Sequence, residues 1–144
     1  MSSSASRRFS RVLFSSASDE WSTPEDTYRA LDAEFGFIDD PCPLGGDFNG
    51  LMREWGSPCF INPPYSDIGP WMEKAWIESQ AGKLVVALIP SRTDTKWWHR
   101  FAMRASEIRF IPGRLKFGGA KTGAPFPSAV VIFGATPRDK EVGE

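Results

Sequence analysis

An α/β fold with a doubly wound sheet, whose last strands form a hairpin-like edge, is predicted by the order of elements, and three observations carry it. Lys83-Leu84-Val85-Val86-Ala87-Leu88-Ile89-Pro90 is a continuous apolar run, the pattern of a strand buried on both faces of a parallel sheet. A second apolar strand, Pro58 to Ile61, precedes it. Between the two, Ile68, Trp71, Met72, Ala75 and Trp76 recur at helical spacing, so Ser66 to Ala81 reads as a crossover helix. Strand and helix alternate until adjacent strands follow one another near the end of the chain, which places a hairpin-like antiparallel edge there.

Met1 to Ser18 is rich in serine and carries Arg7, Arg8 and Arg11 without an acid. A flexible arm is expected over 1–18, although the same composition fits an organelle transit peptide. Thr23 followed by Pro24 marks a helix start, with Thr as cap and Pro in the first turn. Tyr28, Leu31 and Phe35 give that helix its apolar face, and Gly36 ends it. Phe37 to Asp40 is a short first strand. Pro41 to Trp55 is turn-rich, with Gly45, Gly46 and Gly50; its Gly-Gly is either a nucleotide-binding turn or a plain one. Gly82 stops the crossover helix. Thr95 to Ala105 is a third helix, and one of the adjacent Trp97 and Trp98 should enter the core. Glu107 to Ile111 and Ser128 to Phe133 are strands, with Leu115 to Phe117 a third short one. The whole reads as one domain over 19–137 and a polar tail over 138–144.

The 144 residues suffice for one domain with a real core. No apolar run approaches the roughly 18 residues that span a bilayer, so no membrane association is expected. Two cysteines, Cys42 and Cys59, and the single His99 cannot supply a four-ligand Cys/His zinc site within one chain. No metal is expected, and the compartment reads as reducing. Net charge is −1, but unevenly spread. Asp19 to Asp40 holds eight acids against Arg29, a net −7, whereas Ser91 to Lys121 holds eight bases against Asp94 and Glu107, a net +6. Such asymmetry fits a face for a polyanion. It equally fits a solvated stripe, since Lys96, Arg100 and Arg104 recur at every fourth position.

Asn62-Pro63-Pro64-Tyr65 follows the apolar strand at the end where open α/β sheets bind ligands. The Asn amide oxygen and a carbonyl of the Pro-Pro stretch are both acceptors, so together they can hold the two hydrogens of an exocyclic amine. Tyr65 adds a flat face, suited to an amino-purine pulled out of its stack. Such an amine is nearly non-basic, because its lone pair is delocalised into the ring. Drawing its hydrogens toward two acceptors returns density to nitrogen, which can then attack an activated methyl group. A strand ending in a plain Pro-Pro turn is the competing reading.

Six blocks in order extend the argument beyond the tetrapeptide. They are Val12 to Ser16; Asp19 to Pro24; Leu31 to Phe37; Asn62 to Ser66; Ile89 to His99; and Ile108 to Ile111 with Gly113 to Lys121 and Ala124 to Ser128. In these blocks the chain resembles the phage-type DNA N6-adenine methyltransferase family, over nearly all of 12–133. The resemblance implies a Rossmann-like methyltransferase sheet, S-adenosylmethionine as cofactor and DNA as partner. It implies that Trp21, Thr23 and Pro24 hold the methionine end of the cofactor, with Asp40, Cys42 and Asn62 lining the same pocket. The acid that meets the cofactor's adenine in the family aligns with Asn49 here, and Asp47 lies two residues away. Only 21 residues separate Asp40 from Asn62, too few for two strand-helix units at roughly 3.3 Å and 1.5 Å per residue. The sheet should be reduced on that side, and a homodimer could complete the pocket.

The substrate side is expected from Arg92, Thr93, Asp94 and His99, and from a mobile basic loop holding Arg114, Lys116, Phe117 and Lys121, with Phe126 beyond it. Bases there would meet phosphates, while Phe117 or Phe126 would fill the gap or hold the extruded base. The expected activity is methyl transfer from S-adenosylmethionine to the N6 amine of adenine in DNA, with Asn62, Pro63, Pro64 and Tyr65 as the catalytic group, in the cytoplasm of a bacterial or phage-infected cell. RNA adenine or a protein glutamine as acceptor, or a binding protein that has lost catalysis, are the alternatives. A titration with S-adenosylmethionine separates the last of these.

Overall fold

The structure is a computed structural model that describes residues 21–43 and 49–134. The expected arm at 1–18, the tail at 138–144, Asp47 and the Gly45-Gly46 turn lie outside the described residues. In chain order the elements are α1 (Glu25–Phe35), β1 (Cys59–Ile61), α2 (Ile68–Gln80), β2 (Val85–Pro90), α3 (Lys96–Arg100), β3 (Glu107–Phe110) and β4 (Ser128–Phe133). Short 3-10 turns occupy Gly50–Met52, Tyr65–Asp67, Ala102–Arg104 and Phe117–Gly119.

The strand order is β1-β2-β4-β3. β1 and β2 are parallel, as a strand-helix-strand crossover through α2 requires. β4 is antiparallel to both of its neighbours. The expected antiparallel pair is therefore present, but β4 lies inside the sheet and only β3 is at its edge. The sheet is therefore mixed. On the other side, the expected first strand is a single parallel bridge, Asp39 to Cys59, supported by Ile38 N–H on the Pro58 carbonyl at 2.9 Å and Phe60 N–H on the Asp39 carbonyl at 3.1 Å.

Strand periodicity sorts the core into two layers. Cys59, Ile61, Val85, Ala87, Ile89, Ala129, Val131 and Phe133 face α2 and α3, meeting Ile68, Trp71, Met72, Ala75 and Trp98. Phe60, Val86, Leu88, Val130 and Ile132 face α1 through Leu31 and Phe35, together with Phe117, Ala124 and Phe126. Of the two adjacent tryptophans, Trp98 enters the core, 2% exposed.

Three local expectations change. Thr23 does not cap α1; Pro24 occupies the cap position with ψ 134° and no side-chain cap bond, because the Thr23 hydroxyl is engaged elsewhere. Leu115 to Phe117 is not a strand. Gly118, at φ 60°, turns the chain, and its N–H meets the Ser22 carbonyl at 3.0 Å. The helix expected over 95–105 breaks at Phe101 (φ −121°), passing from α3 to the 3-10 turn.

The shortened stretch before β1 folds back on the strand end. Arg53 grips the Asp39 carboxylate with both terminal nitrogens, at 2.8 and 2.9 Å, and the Gly56 N–H reaches the same group at 2.7 Å. The Trp55 indole N–H donates to the Gly50 carbonyl at 2.9 Å. Gly50 has to be glycine, since a β-carbon there would lie 2.0 Å from the Pro41 carbonyl oxygen. Buried Glu78 on α2 ties this stretch down, accepting Lys83 at 2.8 Å, Lys74 at 3.0 Å and the Trp55 N–H at 3.3 Å.

Candidate active site

Five segments converge at the carboxyl end of β1 and β2: the chain before α1, the end of the first strand, and the loops 62–67, 91–95 and 111–127. The Asn62 side chain joins the first of these to the third. Its Nδ2 donates to the Trp21 carbonyl and, at 2.9 Å, to Thr23 Oγ1. The Trp21 carbonyl can only accept, so this contact fixes which way the amide points. Oδ1 is thereby turned to Tyr65, whose hydroxyl donates to it at 2.8 Å and lies 3.4 Å from the Leu88 carbonyl. Burial pushes the Tyr65 phenol well above its usual range, so it remains a donor throughout the working range of pH. One lone pair of Oδ1 remains for an incoming donor.

Pro63 is buried. Pro64 is the N-cap of the Tyr65–Asp67 turn, and its carbonyl accepts the Asp67 N–H at 3.2 Å. Tyr65, Trp21, Phe117 and Phe126 form an aromatic cluster beside Asn62. Phe126 meets Trp21 at 5.4 Å and Tyr65 at 5.5 Å, both edge-on, and Phe117 lies 5.7 Å from Trp21. Phe117 and Phe126 are only 5% and 7% exposed. They are walls of the site in this arrangement, joining the basic loop to Trp21 and Tyr65. Ala124 N–H on the Leu115 carbonyl at 2.9 Å closes the neck of that loop.

Arg92, Lys116, Lys121 and Arg114 are exposed around this edge; Arg92 lies 6.0 Å over the Phe126 ring, and Arg114 reaches the Ala124 carbonyl at 3.5 Å. His99 Nε2 is 2.7 Å from the Thr93 carbonyl, and Thr95 Oγ1 donates to the Arg92 carbonyl at 2.8 Å. His99 therefore shapes the 92–95 loop, in which Thr93 and Asp94 are exposed. Three bases of the positive segment go elsewhere. Arg109 is held by Glu34 at 2.7 Å and Glu107 at 2.7 Å, over the Phe35 ring, and those two carboxylates raise its already high pKa. Arg104 packs over Trp76 at 4.9 Å and Arg100 over Phe101 at 5.8 Å.

On the other side, exposed Asp40 and half-buried Cys42 stand at the end of the first strand, one strand from Asn62. Asn49 caps the Gly50–Met52 turn through the Leu51 N–H at 2.9 Å, a structural task for a residue expected at the cofactor. Cys59 is a core residue, fully buried, and that burial pushes its thiol up to about 12. Sequence reasoning missed the Asn62 link to the Trp21 backbone and the Asp39–Arg53 pair. Neither leaves a mark in sequence, because one uses a carbonyl and the other joins residues across a turn-rich stretch.

Among the described residues, no cluster of three or more His, Cys, Asp or Glu could hold a metal ion, and no helix is long and apolar enough to cross a membrane. The profile of the DNA N-6-adenine-methyltransferase (Dam) family matches residues 11–132. A DNA N-6-adenine-methyltransferase of Escherichia phage T1 is 26% identical over 110 residues, covering 67% of this chain and 46% of the phage protein. One from Haemophilus phage HP1 (strain HP1c1) is 29% identical over 135 residues, covering 80% of this chain and 78% of its own length. The chain thus spans less than half of the first relative and more than three quarters of the second. No solved structure matches.

Proposed function

Since this chain belongs to the DNA N-6-adenine-methyltransferase family, we propose that it transfers a methyl group from S-adenosylmethionine to the N6 amine of adenine in DNA. The observation that carries the residue roles is the fixed Asn62 amide, whose nitrogen is anchored to Trp21 and Thr23 so that its oxygen faces the site. Pro63 supplies the second acceptor, because the Pro64 carbonyl is engaged by Asp67. These two oxygens draw the amine hydrogens and return the ring-delocalised pair to nitrogen. Tyr65 holds the Asn62 oxygen in place through its hydroxyl and offers its ring face to the base. With S-adenosylmethionine bound, its methyl group would pass from the sulfonium, leaving a neutral thioether, to the nitrogen these oxygens hold, and the amine proton would leave to water.

The site residues fit the cofactor by the chemistry of their donor set. The Asp40 carboxylate suits an ammonium or ribose hydroxyls, and the rings of Trp21 and Tyr65 suit a cationic sulfur. When bound, S-adenosylmethionine supplies a methyl group on a positively charged sulfur. Thr23, Pro24 and Cys42 belong to the same wall, whereas Asn49 contributes through the turn it caps. The architecture is that of a reduced Rossmann-like sheet, with the first strand cut to one bridge. Exposed Ile38 (71%) and Met52 (79%) at that side favour a second copy there.

DNA meets Arg92, Arg114, Lys116 and Lys121 around the carboxyl edge, and the reaction belongs in the cytoplasm, where host or phage DNA lies. Methyl transfer to unmodified DNA, followed by mapping of modified adenines, tests the reading. Incorporation at adenine N6 in the wild type, lost in Asn62→Ala, is expected. Cofactor binding without transfer to DNA would return RNA or protein amides to the lead.

A further inference from the structure

The clasp between Asp39 and Arg53 lies at the end of the first strand, next to Asp40. Asp39 is held twice. Its backbone bridges Cys59 and accepts the Phe60 N–H, while its carboxylate takes two bonds from Arg53 and one from the Gly56 N–H. Burial raises the Asp39 pKa, but the Arg53 and Gly56 hydrogen bonds outweigh it and hold the group below the usual carboxylate range. The charge of Asp40 is also felt by Arg53. The next residues after Asp39 are Asp40, Pro41 and Cys42, and the Pro41 carbonyl abuts Gly50 so closely that no side chain fits there. The Trp55 ring stacks on Trp71 at 6.0 Å, which anchors the returning loop to α2.

The two side chains of the pair are 39% and 18% exposed. A partly solvated ion pair contributes little to stability. A two-pronged guanidinium-carboxylate contact, however, fixes direction.

We propose that Arg53 is a positioning residue for cofactor binding: by clasping Asp39 it fixes the path on which Asp40, Pro41 and Cys42 leave the sheet. It sets the affinity for S-adenosylmethionine without touching it. The inference rests on the reading of Asp40 and Cys42 as part of the cofactor wall.

Calorimetric titration of S-adenosylmethionine into wild type, Arg53→Gln, Arg53→Lys and Asp40→Asn tests it, alongside DNA affinity, kcat at saturating cofactor and melting temperature. Arg53→Gln should weaken cofactor binding roughly tenfold, as displacement of a site element does, and leave DNA affinity and saturated kcat within about twofold. Arg53→Lys keeps the charge but loses the fork, and should fall between, at about threefold. Should the Gln variant fail to fold, the Lys variant carries the comparison, and wild-type cofactor affinity in it would overturn the proposal. Weak binding by Asp40→Asn with normal binding by Arg53→Gln overturns the role of Arg53 and leaves the cofactor wall standing. Normal binding by Asp40→Asn overturns both. Parallel losses of cofactor affinity, DNA affinity and kcat in Arg53→Gln would show general loosening and also overturn it.

Discussion

Replacing Asn62 by alanine removes two things at once: the acceptor oxygen that faces the target amine, and the tie between the Trp21–Thr23 segment and the end of β1. The structural loss can be estimated from the bonds. Two donations from Nδ2 and one acceptance by Oδ1 disappear, each a neutral hydrogen bond worth about 1 kcal/mol net. Stability should therefore fall by about 2–3 kcal/mol, and the melting temperature by roughly 6–10 °C for a chain of this size. The catalytic loss is larger and separate. An aligned polar group at the reacting centre is worth about 3 kcal/mol, so turnover should drop a hundredfold or more. Thr23→Val separates the two at saturating cofactor, because it removes one bond of the tie and keeps the acceptor, while its place in the cofactor wall affects cofactor affinity; its saturated turnover should stay within about tenfold of wild type. Transfer of labelled methyl groups to DNA, measured well below each variant's melting temperature, reads both. Turnover of folded Asn62→Ala within tenfold of wild type would refute the reasoning. So would equal losses in the two variants, which would reduce Asn62 to a structural tie.

DNA affinity should fall with salt with a log-log slope of about −3 to −4, from about −0.9 per phosphate at Arg92, Arg114, Lys116 and Lys121; reversing Arg114 and Lys116 to Glu should flatten it, and a salt-independent affinity would dismiss the basic edge. Arg109→Ala should leave that slope unchanged and lower thermal stability instead, because Arg109 is already bound to Glu34 and Glu107. Gly50→Ala should destabilise by about 1–3 kcal/mol through overpacking against Pro41, seen as a lower urea midpoint at unchanged slope. Glu34, Asp39 and Glu78 all have folded pKa values below their ordinary ones. Their contribution is complete above the ordinary carboxylate range and is lost as pH falls through the lowered values. The urea midpoint should be level from neutrality to about pH 5 and decline below about pH 4.

The strands were legible because burial on both faces writes itself as continuous apolar runs: β2 was read from Lys83 to Pro90 and is observed over Val85–Pro90. α2 was legible from its spacing, and the rule that adjacent helical residues point apart gave one of Trp97 and Trp98 to the core without saying that it is Trp98. Strand order was not legible. β4 lies between β2 and β3 because the connection through α3 carries the chain past one strand position, which the next strand then fills by pairing with both, and nothing in the connecting segment signals that gap. Thr23 shows a different limit. Its sequence position suits a helix cap, but Asn62, far along the chain, competes for the same oxygen. The tetrapeptide was legible as chemistry; what holds its amide in place was not, since the partner is the Trp21 backbone. Arg109 adds to the positive count of its segment, but its pairing with Glu34 is not legible because α1 and β3 are distant in sequence and only the fold brings Glu34 to it.

The ion cluster of Arg109 with Glu34 and Glu107 bears on how the molecule avoids its own kind. β3 is the outermost strand of the sheet, and an outermost strand is an open template for another copy in a crowded cell. Here Glu107 and Arg109 alternate along a strand of four residues, and the pair is clamped back onto α1. Adding a further strand would require pulling these charges away from water and from each other. The strand is thus shielded from sheet-to-sheet accretion by the same contacts that fasten it to its helix. Apolar replacements at Glu107 and Arg109 would leave the Asn62 centre chemically intact while exposing the protein to fibrous self-association.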